Sequence, residues 1–361
     1  MYTESISFKK IDGSSSVNTI TFQSETGINS DVMIQAESND STGYVIKFNS
    51  CSFFRIKNVS IKIVETPVNF GSVVGFFYET NNTRIEGCIL YGIKKDEFND
   101  SWSVIYSATA SNNNSIINNT ILDGSFGICW STNFNVYSEG LVIQGNLIKE
   151  SYYGIYITQS DDLRIIGNII TTSHPDILQT VRVGVYSSTG FEISKNKLNF
   201  SAGSGMLIAN CVGNDSSKLV LTNNIITGSS NGYVSYGLVI SRSTYLEIYH
   251  NTIQVASKID AAMEVGDLCD KTKLYNNVFS NIGGGYAIRV SDQYPAGGSD
   301  YNCFYTNGPN FSLCSSVLKD FSGFKAITKM DGNSICVLPE FISTDDLHAK
   351  AGSPWAVQLN R

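Results

Sequence analysis

One six-residue pattern returns seven times between residues 116 and 279. It consists of an apolar residue, any residue, one of Gly, Asn, His or Lys, then Asn, any residue and a second apolar residue. The seven copies are "IINNTI" (116–121), "IQGNLI" (143–148), "IIGNII" (165–170), "ISKNKL" (193–198), "LTNNII" (221–226), "IYHNTI" (248–253) and "LYNNVF" (274–279). The fixed asparagines are Asn119, Asn146, Asn168, Asn196, Asn224, Asn251 and Asn277, at successive intervals of 27, 22, 28, 28, 27 and 26 residues. Upstream, "IEGCIL" (85–90) and "IKNVSI" (56–61) keep the frame with Cys88 and Val59 in the Asn slot. A repeat of this length is one supersecondary unit that buries its apolar face only by stacking on its neighbours.

A second motif alternates with the first. It reads "GFFYE" (75–79), "SVIYS" (103–107), "GICWS" (127–131), "GIYIT" (154–158), "GVYSS" (184–188), "GMLIA" (205–209), "GLVIS" (237–241), "AMEVG" (262–266) and "AIRVS" (287–291). Short runs of β-branched and aromatic residues, introduced by glycine or another small residue, are strands bounded by turns. No helical period separates them. The expectation is an all-β parallel solenoid of about ten coils. An inward Asn in each coil would lie one strand spacing, about 4.8 Å, from its equivalents. Its amide would donate to one neighbouring coil and accept from the other, forming a ladder.

Composition narrows the function classes. The 361 residues are 42% hydrophobic and only 16% charged, so the surface must be largely Ser, Thr, Asn and Gly. A net charge of -7 gives no basic footprint for nucleic acid. No apolar run is long enough to insert in a membrane. The start "MYTESISFKK" shows no signal-peptide core. Eight cysteines are scattered without a C-x-x-C or a Cys/His cluster, so no metal site is expected. Cys88 and Cys129 fall inside the repeat as small buried residues, whereas Cys303, Cys314 and Cys336 lie in a less regular tail and are the disulfide candidates.

Over roughly residues 44–305, the "I-x-x-N-x-I" steps and "G-I-Y-I" strands resemble the right-handed parallel β-helix proteins of the pectin-lyase-like superfamily. The opening "ISFKKIDGSSSVNTITFQSETG" and the ending "PEFISTDDLHAKAGSPWAVQ" are similar to the edges of β-helix modules in large surface proteins of Bacteroidetes-type bacteria. The resemblance implies one β-helix domain over 1–361, with N-terminal coils at 1–50, regular coils at 51–305 and an irregular C-terminal coil or tail at 306–361. It implies a fragment of a longer chain, with neighbouring domains and an extracellular or cell-surface location. It also implies three strands per coil, with the Asn at the tight turn between the second and third, and a substrate groove over the first strands. The superfamily includes lyases, hydrolases, epimerases, tailspikes and non-enzymatic proteins, so the fold does not decide the activity.

Alternation along the first strands sets an outward column of Phe77, Ile105, Cys129, Tyr156, Tyr186, Leu207, Val239, Glu264 and Arg289, with Trp130 inward. Tyr156 and Tyr186 are candidate sugar-stacking residues or simply cover for the sheet. Glu264 and Arg289 occupy equivalent positions on adjacent coils. They read as a surface salt bridge or, in a catalytic role, as an acid/base group and a holder of a substrate carboxylate. The inserted loop "TTSHPDILQTVR" (171–182) carries His174, Asp176 and Arg182 as further catalytic candidates. The insert "YGIKKDEFNDSWS" (91–103) offers Trp102 for sugar stacking.

Family signatures are not met. The Gly-His-Gly of polygalacturonase-like hydrolases is absent, "RIK" (55–57) sits on a second strand, and "SHPD" only shares letters with the Asp-Pro-His-Asp of mannuronan epimerases. Glu264, Asp267 and Asp292 with Arg289 approximate the calcium ligands and arginine of a pectate lyase without its motif; no cofactor is otherwise implied. The adjacent Asp161 and Asp162 fall at the bend before a second strand and read as turn residues. The expected function is therefore a carbohydrate-associated surface module for glycan binding, adhesion or support, with a polysaccharide or cell-surface glycan as partner. The alternative is a polysaccharide lyase or glycoside hydrolase acting on an acidic polysaccharide. A convergent acid/base cluster in the groove favours the enzyme; isolated charges favour the module.

Overall fold

The structure is a computed structural model that describes residues 1–38, 43–67, 70–132, 136–172, 180–229, 233–291, 297–343, 346–353 and 355. The chain divides into two compact units, Met1–Thr172 and Ser173–Arg361. Each is a parallel β-solenoid built on three sheets.

In the first unit a representative coil runs Tyr153–Thr158, Leu163–Ile166 and Ile169–Thr172 as first, second and third strands. Each pairs in parallel with its equivalent in the coil before; Ile155 stands opposite Ile128, Ile165 opposite Ile143 and Ile170 opposite Ile148. In the second unit, Leu238–Ser241, Leu246–Tyr249 and Thr252–Val255 form a coil of the same plan. The inward residues, such as Ile155, Ile165, Ile240, Ile248 and Ile253, have no exposed surface and fill the axis of each solenoid.

The fixed asparagines form the expected ladder. In the first unit the Asn119 side-chain amide donates to Asn146 Oδ1 at 3.0 Å, and that of Asn146 donates to Asn168 Oδ1 at 3.0 Å. The same oxygens also accept the backbone N–H of the preceding ladder residue, at 2.9 Å in both cases. In the second unit the ladder runs Asn196, Asn224, Asn251 and Asn277. It continues to Asn302, which the repeat pattern missed because "SDYNCF" (299–304) has Ser299 where the others have an apolar residue. Asn302 ends on polar partners: its amide reaches Ser299 Oγ and the buried Asp331, and its backbone N–H reaches Ser334 Oγ.

The residue before each ladder Asn is left-handed. Gly145 and Gly167 have φ 65°, Lys195 57°, Asn223 56°, His250 56° and Asn276 58°. This explains the Gly, Asn, His or Lys in the pattern, because Gly and Asn tolerate positive φ best. His250 is thus a turn residue. Asp162 is also left-handed, at φ 46°, and Asp161 Oδ1 accepts its N–H at 3.0 Å, a turn as the sequence implies.

A second buried column, not anticipated from the repeat, lies at the bend between first and second strands. In the first unit the Ser138 hydroxyl accepts the N–H of Ser111, and Ser160 donates to the Ser138 carbonyl. In the second unit Cys211 takes the same place, its N–H bonded to Ser243 Oγ and its thiol donating to the Val185 carbonyl. Several scattered cysteines are thus serine-like bend residues. All eight are free thiols, so the disulfide expected among Cys303, Cys314 and Cys336 is not formed.

The tail adds one helix, Phe321–Thr328, which the strand patterns did not indicate. Asp320 caps it by accepting the Gly323 N–H at 2.7 Å. Its buried Phe324 packs on Phe311 and Phe304, with ring centroids 5.3 and 6.1 Å away. Among the described residues no helix is long and apolar enough to cross a membrane.

Candidate functional site

Strand register fixes what the first-strand faces present. In the first unit the outward column is Lys47, Gly75, Tyr106, Cys129 and Tyr156. The expected column placed Ile105 there. The true register is one residue later, and an odd slip exchanges faces, so Ile105 is buried and Tyr106 looks outward. Phe77 keeps the outward face but stands opposite Asn49, and its ring folds back over Gly75. Trp130 is fully buried as expected, with Ser107 opposite and its indole N–H donating to Ser138 Oγ at 3.1 Å.

This face is occupied by its own chain. The insert at 91–103 folds over it through the short helix Asp100–Trp102. Trp102 is 4% exposed, and its carbonyl accepts the Ser125 N–H at 3.1 Å. The expected sugar-stacking role for Trp102 is therefore excluded: its ring is buried, and Lys95 lies 4.5 Å from the ring centroid. Phe98 packs on Phe126, Tyr153 and Tyr156 at 5.1, 5.1 and 5.7 Å, leaving Tyr156 half-buried. Tyr106 donates to Asp100 Oδ2 at 3.4 Å. Burial, helped by Asp100, pushes the Tyr106 phenol up; burial does the same to Tyr156, helped by Cys129.

In the second unit the column runs Gly184, Leu207, Val239, Glu264, Arg289 and Leu313. Tyr186 was expected beside Leu207. It lies two residues further along the strand, opposite Ala209, on the same face but outside that column, with its ring over Gly184. Arg182 is fully buried; it donates to the Ala202 carbonyl at 3.0 Å and bonds Thr180, a structural setting that removes it from the catalytic candidates. His174, Asp176 and Asp292 lie outside the described residues.

Glu264 and Arg289 are opposite one another as expected, but the simple salt bridge is replaced by a four-residue cluster. Arg289 Nη1 donates to the Tyr236 hydroxyl at 2.7 Å and approaches Asp260 Oδ1 at 3.5 Å. Glu264 stands beside the Tyr236 hydroxyl and acts on it. Tyr236 comes from the segment leading into Leu238–Ser241, and Asp260 from the one leading into Ala261–Val265. Sequence reasoning missed both because it looked within strands, whereas these residues stand just before them. Burial, reinforced by Glu264 and Asp260, pushes the Tyr236 phenol well above its ordinary range. Arg289 is held firmly charged: desolvation opposes the charge, but Tyr236, Glu264 and Asp260 outweigh it. The strand beside it opens a depression of about 260 Å³ lined by Arg289, Ser291, Leu313 and Ser315.

The fold and this arrangement define a parallel β-helix with a polar cluster on its first-strand sheet. A family model described as "Periplasmic copper-binding protein (NosD)" matches residues 78–286, more than half of the sequence, and the chain belongs to the NosD family. No curated protein matches. Among solved structures, the periplasmic alginate epimerase AlgG is 15% identical with a TM-score of 0.59, over 89% of this chain and 75% of that one. A point mutant of the same epimerase gives 0.61 at the same identity and coverage. The Dettilon tailspike protein is 12% identical at 0.49, over 90% of this chain and 61% of that one. At these identities the epimerase likeness establishes the fold alone; the tailspike likeness is looser still and carries no argument.

The family description raises the question of copper. Among the described residues no group of three or more His, Cys, Asp or Glu is placed to hold a metal ion. The thiols of Cys129, Cys211 and Cys303 are buried, which pushes each up to about 12, away from the thiolate a soft metal takes. His348 pairs with Asp346. These residues do not fit a copper centre. Of the calcium set Glu264, Asp267 and Asp292, the last lies outside the described residues, and Glu264 stands beside Tyr236.

Proposed function

We propose that this is a non-cytoplasmic, carbohydrate-associated β-helix protein whose second unit performs proton-transfer chemistry on an acidic polysaccharide. The observation that carries the reading is the convergence of Arg289, Tyr236, Glu264 and Asp260, in which Arg289 donates to the Tyr236 hydroxyl and Glu264 and Asp260 stand beside the pair. A convergent cluster of this kind is what separates an enzyme from a passive module. The family and AlgG are both described as periplasmic, which supports the location, and AlgG's activity as an alginate epimerase supports a uronide substrate.

The chemistry follows from the groups present. Both bonds of Arg289 given above run through Nη1, leaving the rest of its donor fork for a uronate carboxylate. Holding that carboxylate stabilises the negative charge that develops on it when the proton on the adjacent carbon is removed. A phenol with a raised pKa is not a free base, but it relays. The Tyr236 oxygen receives the carbon-bound proton as its own proton passes to the Glu264 carboxylate. The C–H electron pair becomes an enolate on the substrate. Return of a proton to the opposite face gives epimerisation. Expulsion of the neighbouring glycosidic oxygen, which leaves with a proton, gives an unsaturated sugar. Either outcome has the same first step.

That step is tested by incubating the protein with a panel of polyuronides in deuterated water and following carbon-bound deuterium by mass spectrometry. Incorporation that is lost in Glu264→Gln supports the reading. Binding of the same glycans with no incorporation and no unsaturated product sinks it in favour of the non-catalytic module.

A further inference from the structure

A second cationic site lies on a different sheet of the second unit, away from the first-strand face. Its second strands present Glu247 opposite Lys273 and Tyr249 opposite Tyr275. At the bends that lead into these strands, Tyr245 and Lys271 are both left-handed, at φ 59° and 54°, so their side chains leave the chain at the edge of this sheet. Lys218 enters from the preceding coil. Lys218, Tyr245, Glu247, Lys271 and Lys273, with Asp215 and Gly297, wall a cleft of about 300 Å³, at the lower end of small-ligand clefts.

The charges in it do not cancel. Lys218 and Lys273 share one oxygen of Glu247, at 2.7 and 3.4 Å. Lys271 lies 4.3 Å from the centroid of the Tyr245 ring and bonds its hydroxyl; among the described residues it makes no carboxylate ion pair. Against three ammonium groups the lining offers two carboxylates, Glu247 and Asp215. Asp270, outside the lining, also acts on Lys271, so the excess of positive charge belongs to the cleft lining itself. The lining also has an aromatic face, the ring of Tyr245, and the Tyr249 and Tyr275 rings lie on the neighbouring second strands, 6.2 Å apart. Cations beside aromatic rings are complementary to a sugar ring that carries an acidic substituent.

We propose that this cleft binds an anionic saccharide unit, its carboxylate or sulfate between Lys271 and Lys273 and its ring against Tyr245. The site performs no chemistry. It serves as an anchoring point for an acidic glycan, independent of whether the first-strand cluster is catalytic. The polymer is recognised by charge, so binding weakens as salt rises.

The test uses the full chain labelled with 3-fluorotyrosine. Fluorine resonances of Tyr245 and Tyr275, assigned with single Tyr→Phe variants, report this cleft, while that of Tyr236 reports the first-strand site. Titration with a polygalacturonate hexamer, a chondroitin sulfate hexamer and cellohexaose separates carboxylate, sulfate and neutral ligands. The proposal predicts saturable shifts of Tyr245 and Tyr275 with at least one acidic hexamer and none with cellohexaose. In the doubly substituted Lys271→Gln/Lys273→Gln chain the affinity falls roughly fivefold or more. Both lysines are on the surface, and unchanged fluorine resonances of Tyr236 and the other tyrosines outside the cleft, without ligand, show that the variant is folded. No shift at Tyr245 and Tyr275 with either acidic hexamer, an equal shift with cellohexaose, or unchanged affinity in the double variant overturns the proposal. Shifts confined to Tyr236 overturn it too, while leaving the first-strand reading intact.

Discussion

The first-strand sheets of the two units are built by the same rule and end up with opposite characters. In the first unit the face carries Tyr106 and Tyr156, and the chain's own insert closes over it, burying Trp102 and packing Phe98 on the aromatic rings. In the second unit the corresponding kind of face carries Glu264 and Arg289, joined through Tyr236 and flanked by Asp260. The first face spends its aromatic residues on packing within the protein; the second gathers ionisable groups around one phenol. A repeat fold supplies the same outward positions in every coil, and the segments before the first strands decide what each position does.

The contrast breaks most sharply by removing one oxygen from each face. Tyr236→Phe deletes the hydroxyl between Arg289 and Glu264 and is expected to lower deuterium exchange into a uronide by about 100-fold or more. Tyr156→Phe deletes a phenol in the packed face and is expected to leave the rate within about twofold. Comparable losses in both variants erase the distinction between the faces.

The ladder is common to both units and should respond alike. Asn251→Ala removes an acceptor used by two Asn224 donors and leaves buried backbone carbonyls without their amide donor. We expect a loss of about 3 kcal/mol in urea denaturation, and Asn146→Ala should match it in the first unit. A loss under about 1 kcal/mol at either position shows that the ladder is not what holds that unit's turns.

Alkaline pH tests burial in the two units with one titration. The thiols of Cys129 in the first unit and Cys211 in the second are raised from 9.0 to about 12 by burial. A group raised on folding contributes stability fully below its unfolded value and loses it as pH rises through the folded value. Stability should therefore fall progressively from about pH 9 to about pH 12, and the fall should be smaller in Cys129→Ser and Cys211→Ser. On the acid side Glu86 and Glu247 carry the smallest effect. Burial raises each, but Arg84 with Lys57, and Lys218 with Lys273, outweigh it and hold both below the usual carboxylate value. Their contribution is present above about pH 4.5 and is lost as pH falls through the lowered values, a change that Glu86→Gln or Glu247→Gln should remove.

The fold was legible because the Asn turn is both local and periodic. Gly145, Gly167 and His250 announce a left-handed residue, and Asn146, Asn168 and Asn251 follow in a fixed frame. Asn302 escaped because Ser299 stands where the pattern has an apolar residue and Tyr301 where it has Gly, Asn, His or Lys. The site was half legible. Glu264 and Arg289 were placed correctly, since strand alternation brings equivalent positions together. Tyr236 and Asp260 lie in the segments before their strands, where no period predicts direction, and Trp102 read as a surface aromatic although the fold of its insert buries it. Register was the weakest inference: a slip of one moved Ile105 to the wrong face, and a slip of two put Tyr186 in the wrong column.

The central claim is that the second unit's first-strand cluster moves a proton on an acidic sugar. It is tested most directly by following deuterium uptake into a polyuronide with the wild-type chain, Tyr236→Phe and Arg289→Lys in parallel. The account predicts uptake by the wild type and its near-complete loss in both variants, with glycan binding retained in Tyr236→Phe. Uptake that persists in Tyr236→Phe, or neither uptake nor unsaturated product from any polyuronide that the wild type binds, contradicts it.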